Sequence, residues 1–413
     1  MNVRTAQLLL LSILSAITAS AQTFEEVASL RLPDATPRST RAVALGGASD
    51  PLGDPDMAAN PATLLNIKRP MFFVQGMRSS VGATRYFQIG SAPGVEQISA
   101  GASSVSQIAA AMPVGAATIG VYYAAAPRLA GPDPLTAPPE GSGIYIPGYC
   151  GTCEFPSKPV NVPAAFERRD RRYGVAMAWE RGALALGAGV EMQVVRQETQ
   201  TVNALLVTRP PFVFPQDERN SLLTDGRAIV PNLGMRWRVT PQLAVAAAYN
   251  GAGSFTRTWR VCGTDHIDAP ICSSGYREVV STRSRMPDAY RAGLSFNATE
   301  RLRLVGEAVR RKWSRTAEHG RSVFGEFQPY QGYTDTTELH AGAEYKLSSV
   351  SLRAGWWRDP GHDDFGVPEI WQSVTHRTVG AGINVGAARL DLAYDNASRP
   401  EYRRAVVGLT FGL

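Results

Sequence analysis

The sequence predicts an all-β protein, an antiparallel transmembrane β-barrel of fourteen strands with an N-terminal plug. Three observations predict it: runs of about ten residues alternate apolar with polar or small side chains, short connections alternate with long ones, and the chain ends on an apolar strand. The elements follow in chain order.

Arg4, the apolar run from Leu8 to Ile17 and the small triplet Ala19-Ser20-Ala21 have the layout of a cleaved export signal, so residues 1–21 are set apart from the fold. Gln22 would follow the cut and offers no thiol for a lipid anchor. Beyond it, no stretch approaches the roughly 18 consecutive apolar residues of a spanning helix, so a membrane crossing has to use strands. The net charge is +6, one less without Arg4, and no block of five or six like charges occurs, which argues against a nucleic-acid partner.

Residues 22–69 do not alternate. They read RAVALGGA from Arg41 to Ala48, then Asp50-Pro51, Asp54-Pro55 and Asn60-Pro61-Ala62. Pro lacks a ladder donor and Gly and Ala bury little area, so this segment is a poor lipid-facing strand. It can instead fill a lumen that the side chains of a wide barrel leave open. The domain division is therefore a signal at 1–21, a plug at 22–69 and a barrel at 70–413.

The strands are expected near 70–92, 105–114, 116–126, 171–181, 183–197, 226–240, 241–257, 286–298, 300–313, 336–347, 349–358, 375–386, 387–397 and 401–413. If 70–92 is a hairpin with one arm inside the barrel, the count becomes twelve or sixteen. Leu184, Leu186, Ala188, Val190, Met192 and Val194 oppose Ala185, Gly187, Gly189, Glu191 and Gln193; the first face suits lipid and the second a wet or plugged interior. Tyr290, Leu294 and Phe296 oppose Arg291, Gly293 and Ser295 in the same way, as do Leu339 and Tyr345 against His340, Gly342 and Glu344. A soluble sandwich alternates too, but it has no need of the short connections at 113–116, 181–183, 239–242, 297–300, 347–350 and 385–388 set between long ones at 127–170, 197–226, 252–286, 314–336 and 359–374.

The cysteines fall in two close pairs, Cys150 with Cys153 and Cys262 with Cys272, and in an exported chain local disulfides are the natural inference. A zinc or redox site at Cys150 and Cys153 lacks a second ligand pair, so neither metal nor cofactor is expected. Trp179, Trp237, Trp356 and Trp357 suit the interfacial girdles of a barrel. In the last strand, Gly408, Phe411 and Leu413 match the form of the signal read by outer-membrane insertion machinery, an apolar closing strand being the plainer reading.

The order Gly46-Gly47-Ala48, an Asp-rich turn and Asn60-Pro61-Ala62 ahead of the first strand resembles the N-terminal hatch of FadL-type transporters of long-chain fatty acids and aromatic hydrocarbons. The stretches MPDAYRAGLSF (286–296), 302–314 and HAGAEYKLSSVSLRAGWWRDPGHDD (340–364) look like later hairpins of that family. The resemblance implies fourteen strands, a hatch around Gly46, Gly47, Asn60, Pro61 and Ala62 that gates the lumen, and uptake of a hydrophobic small molecule, often through a lateral gap in the wall. It implies a monomeric integral protein of a Gram-negative outer membrane, surrounded by its lipids. PorV-like barrels share the Gly-Gly-Ala and Asn-Pro-Ala hatch and serve protein secretion, so a secretion role stays open, as does a purely structural anchor.

Inward-facing Arg236, Arg291, Arg303 and Arg353 are candidates to clamp a ligand carboxylate, because a guanidinium matches that geometry. The alternative is that such charges pair across neighbouring strands and rigidify the barrel. An outer-membrane lipid hydrolase would need a Ser and a His on the lipid-facing surface. Of the five His, only His340 lies well inside a strand, on its lumen side, so no enzyme is expected.

Overall fold

The computed structural model describes residues 38–48, 56–89, 92–126, 129–135, 162–209, 212–262, 277–316, 319–322, 325–326, 334–360, 373–398 and 402–412. The expected signal at 1–21, Cys150, Cys153, Cys272 and Leu413 lie outside these residues, and the side chain of Cys262 is not described, so the signal and both cysteine pairs remain expectations of the sequence.

Fourteen antiparallel passes form one closed sheet. They are β1 (Met71–Ile89), β2 (Ala92–Val114), β3 (Ala117–Ala125, extended by Leu129–Leu135), β4 (Val162–Arg181), β5 (Leu184–Arg209), β6 (Phe212–Arg238) and β7 (Leu243–Asn250, extended by Ser254–Cys262). The second half comprises β8 (Arg277–Arg285 leading into Ala289–Asn297), β9 (Leu302–Arg311, extended by His319–Ser322), β10 (Thr336–Lys346), β11 (Val350–Asp359), β12 (Val374–Val385), β13 (Ala388–Ala397) and β14 (Tyr402–Gly412). Pairing of β1 with β14, from Met71 opposite Gly412 to Val81 opposite Tyr402, closes the ring and leaves no exposed edge there.

The period of two puts large apolar side chains outside: Val190 is 50 % exposed, Leu294 47 % and Val379 56 %. Inward neighbours such as Glu191, Ser295 and Thr378 are buried. A water-soluble sheet would reverse that assignment, so these outer rows identify a barrel whose solvent is lipid. Two-residue turns close three of the short connections, at 115–116, 182–183 and 386–387, and Gly115, Gly182 and Gly386 supply the left-handed residue there at φ 60, 65 and 60.

Four expectations need correction. The stretch expected as a loop at 197–226 is a strand pair, because β5 and β6 stay in register from Leu184 opposite Trp237 to Arg209 opposite Phe212. Strand β2 likewise begins at Ala92 rather than 105, and 254–262 pairs with 277–285 inside another expected loop. Outside the bilayer both faces of a hairpin are wet, so the ladder continues with no apolar row to announce it. Finally, Trp357 is not a girdle residue: it follows Trp356 directly, and a strand cannot turn both outward. Trp356 is 37 % exposed, while Trp357 is buried in the interior between His340 and His376, with ring centroids 5.5 and 3.7 Å away.

Candidate functional site

Two stretches of the N-terminal segment, 38–48 and 56–67, lie buried against inward faces of the barrel, and they are held by different chemistry. The first carries a short helix, α1 (Thr40–Ala44), begun by Ser39, whose hydroxyl accepts from the Ala42 amide as an N-cap. Ser39 in turn donates from its backbone and hydroxyl to Asp56, tying the two stretches together. After α1 the chain passes through Gly46 and Gly47 at φ 68 and 81, backbone that other residues rarely adopt.

That turn presses directly on the wall. Gly342 of β10 and Gly355 of β11 face each other across the ladder, and a Cβ on either would strike the backbone of Leu45 or Gly46. The Gly46 amide donates to Thr378 Oγ1 at 3.0 Å, Thr378 donates to the Ala44 carbonyl at 3.0 Å, and His340 Nδ1 lies 2.6 Å from the Gly46 carbonyl. Arg41 adds the strongest tie. Its Nε and Nη2 donate to Glu344 at 2.7 and 2.6 Å, and Glu344 also accepts from Arg353 at 2.8 Å. Arg353 continues to Asp391 at 2.7 Å, and Asp391 to Arg389 at 3.0 Å. Two carboxylates thus bind three guanidiniums in a chain that joins α1 to three strands.

The second stretch is held by amides and apolar packing. Asn60 caps the 3₁₀ turn Pro61–Asn66, its Oδ1 accepting from the Ala62 amide at 2.9 Å, with Pro61 at the position where a missing N–H costs nothing. Gly187 of β5 and Gly234 of β6 form a cross-strand pair under this turn, and a Cβ there would collide with Asn60, Pro61 or Ala62. Asn60 Nδ2 donates to the Met235 and Ala247 carbonyls at 3.3 and 3.4 Å, and Asn250 Nδ2 donates to the Ala58 and Ala59 carbonyls at 2.9 and 3.1 Å. Met57 and Leu64 are fully buried among Tyr122, Ala109, Ala176, Ala178 and Ala185, burial worth roughly 1.5–3 kcal/mol for each large side chain. Tyr122 heads an inward polar group: it donates to Glu191 at 2.7 Å, and Gln193 and Arg172 donate to the same carboxylate at 2.8 and 3.2 Å.

Where α1 meets β1, the wall itself is irregular. The β1–β2 register slips at Ser106, as Gln75 faces Gln107 while Gly76 faces Val105. Thr40 donates to Gln75 Oε1 at 2.9 Å, and Gln75 Nε2 donates to Ser106 Oγ at 3.0 Å and to the Arg38 carbonyl at 3.1 Å. At this level the β2–β3 ladder ends, with Gln107 opposite Ala124. Further along, β2 pairs with β1 as far as Ala92, while Leu129–Leu135 pairs with β4; among the described residues no ladder joins those two lengths.

The four arginines singled out in the sequence differ in their surroundings. Arg291 donates to Glu307 at 2.7 Å and Asn250 at 2.8 Å, and Arg353 is bound by Glu344 and Asp391 as described. Arg303 Nε donates to Asn297 at 2.8 Å, and Arg236 Nη1 to Asn66 Oδ1 at 2.8 Å. Gly408 lies under Thr40, and Phe411 faces outward opposite Phe72 in the closing ladder. Sequence reasoning placed Gly on the polar faces but missed that Gly187 with Gly234 and Gly342 with Gly355 make paired seats. It also missed Arg41, Gln75, Ser106 and Asn250. Glycines recurring at inward positions of adjacent strands were the available signal; the Arg41–Glu344 contact spans 303 residues and left none. Among the described residues no group of three or more His, Cys, Asp or Glu is placed to hold a metal ion.

No family model and no curated protein matches the chain by sequence. Solved structures match its fold. The toluene transporter TbuX of Ralstonia pickettii aligns with TM-score 0.63 and 16 % identity over 92 % of this chain and 99 % of its own. A FadL homologue of Pseudomonas aeruginosa aligns with TM-score 0.65 and 14 % identity over 91 % and 98 %, and the toluene transporter TodX of P. putida with 0.63 and 14 % over 92 % and 99 %. These three structural neighbours, two toluene transporters and a FadL homologue, share the fold of this barrel.

Proposed function

We propose that the chain is an outer-membrane channel for uptake of hydrophobic small molecules such as monoaromatic hydrocarbons or long-chain fatty acids, with residues 22–69 as its hatch. The observation that carries this reading is the meeting of three features at one level of the wall: the slip at Ser106, the end of the β2–β3 ladder at Gln107 and Ala124, and the hatch contact through Thr40 and Gln75. Missing ladder bonds are expensive in lipid unless the site is covered or lines a passage. A break held from inside by the hatch therefore suits a sideways exit into the bilayer, where an apolar solute prefers to go. The structural neighbours, described as toluene transporters, agree in chemical class.

In this reading the turn around Asn60, Pro61 and Ala62 is the moving part, and α1 is the anchor. The amide and apolar contacts of the turn can be exchanged for others at modest cost, whereas the Arg41–Glu344 pair cannot be opened without leaving buried charge. No step requires covalent chemistry, so the protein is read as a non-enzyme. The test is uptake of labelled toluene and labelled oleate by cells producing the wild type or a variant lacking residues 58–64, with analysis of lipophilic molecules that co-purify in detergent. The wild type should raise uptake and the deletion should change it severalfold. Uptake indifferent to the deletion, with no lipophilic ligand in the preparation, would move the assignment to a secretion partner of the PorV kind.

A further inference from the structure

We infer that the lumen mouth at the short-turn end holds a receiving site for a small carboxylate, built from Arg236 on β6 and Asn66 at the end of the Pro61–Asn66 turn. The inference rests on the channel reading above and adds to it a site that recognises acids among apolar solutes.

Arg236 differs from Arg291 and Arg353, each of which donates to a buried carboxylate. Arg353 stands opposite Glu344 across the ladder, so the wall itself supplies the counter-charge. Arg236 stands between Ala185 on one side and Ala246 on the other, and neither can answer a guanidinium. Its Nη1 donates to Asn66 Oδ1 at 2.8 Å, which occupies the acceptor of that amide. What remains is a pair of buried donors: Arg236 Nε and Asn66 Nδ2 have no hydrogen-bond partner among the described residues.

Two orphan N–H groups on hydrogen-bonded neighbours ask for a ligand with two acceptor atoms. A planar carboxylate has one oxygen to offer the guanidinium and a second to offer the amide. The surroundings ask for negative charge as well. Arg236 lies within electrostatic reach of Arg238 and Arg303, and Lys346 within reach of Arg303, Arg41 and Arg389 with Glu344 opposing them, so like charges outnumber opposite ones around this mouth. Glu180, whose charge also reaches Arg236, is engaged by Arg238 at 3.7 Å. A bound monoanion relieves that repulsion, which a water or a neutral carbonyl does not. Ala244 and Ala246 of β7 add methyl groups to the neighbouring wall, a surface suited to the aromatic or alkyl remainder of such an acid. Because Asn66 belongs to the turn that begins at Pro61, the ligand would bridge the moving part of the hatch to β6.

The test uses the full chain folded in non-ionic detergent micelles and titrated calorimetrically with sodium benzoate, benzamide and inorganic phosphate. Benzoate should bind saturably, with affinity falling as salt rises, and Arg236→Gln should weaken it about tenfold or more, as loss of a charge-assisted fork implies. Asn66→Ala, a milder change at the other donor, should weaken it severalfold and keeps the test decisive if Arg236→Gln fails to fold. Retention of the compact, heat-modifiable form on gels shows that each variant is still a barrel. The site is overturned if benzoate does not saturate, if both variants bind like the wild type, if benzamide binds as well as benzoate, or if phosphate binds as tightly, which would make it a general anion patch. Benzoate binding in micelles requires no transport, so its failure leaves toluene uptake standing, and failure of uptake leaves the benzoate result standing.

Discussion

The two stretches of the N-terminal segment meet the same wall through the same device, a cross-strand glycine pair, and then diverge. Over Gly342 and Gly355 the chain is clamped by Arg41, Glu344, Arg353 and Asp391; over Gly187 and Gly234 it is held by Asn60, Asn250 and a methyl-rich surface. Paired glycines remove two Cβ atoms and let backbone lie on backbone, so they set where the segment can rest. They do not set how firmly it rests. A buried ion pair is costly to open, because a lone charge is left in a low dielectric, while an amide bond lost to one carbonyl can be regained at another. The difference separates a fixed end of the segment from an end that can shift.

The largest expected effect breaks the clamp. Glu344→Ala strands Arg41 and Arg353 without their shared carboxylate, and removal of one partner from a buried ionic group typically costs about 3–5 kcal/mol. Urea unfolding in micelles should show a loss of that order, with new protease cleavage near Arg41. A loss no larger than that from Asn60→Ala would mean that the clamp holds no more firmly than the amide seat.

Filling the other seat comes next. Gly234→Val would drive side-chain carbons into Asn60 and Pro61, and overpacking of this kind costs roughly 1–3 kcal/mol. Cleavage should then appear within 56–67 while the region of Arg41 stays protected, which is the pattern of two independently held stretches. If both become cleavable together, the segment behaves as one rigid body and the contrast collapses. Asn60→Ala is smaller, about 1 kcal/mol for the lost cap, with its two long bonds to Met235 and Ala247 adding little.

The barrel was legible in the sequence because lipid imposes a one-sided pattern. Leu186 and Val190 outside against Gly187 and Glu191 inside can be read without knowing any partner. The same logic explains the misreading of 197–226, where both faces meet water and the period carries no message. Of the site, Asn60-Pro61-Ala62 and Gly46-Gly47 stood out as turn chemistry, but their seats did not, since Gly234 becomes a seat only through register with Gly187. Nor could the sequence tell Arg353 from Arg236, both inward arginines on alternating strands. The identity of the cross-strand neighbour, Glu344 in one case and two alanines in the other, is what separates them.

The smallest effect gives the comparison a reference point outside the membrane. Asp335, just before β10, accepts from Lys312 Nζ at 2.8 Å and from the Ser314 amide and hydroxyl at 3.1 and 2.8 Å. Partial burial pushes its carboxyl up, and the Lys312 and Ser314 donors more than reverse that, holding it at about 2 against an ordinary 3.8. A carboxyl depressed in the folded state contributes its stability in full above the ordinary value, and that contribution is lost as pH falls through the depressed one. Hydrogen exchange at the Ser314 amide should therefore stay slow down to pH 4 and quicken only as pH falls toward about 2. Asp335→Asn should quicken it already at neutral pH and flatten the dependence. Any loosening of the clamp in the wild type between pH 5 and 4, with the Ser314 amide still slow, is then not a consequence of Asp335 titrating. Quickening of the Ser314 amide over that same interval would show that outer junction and clamp yield together, and that acid cannot be used to tell the two seats apart.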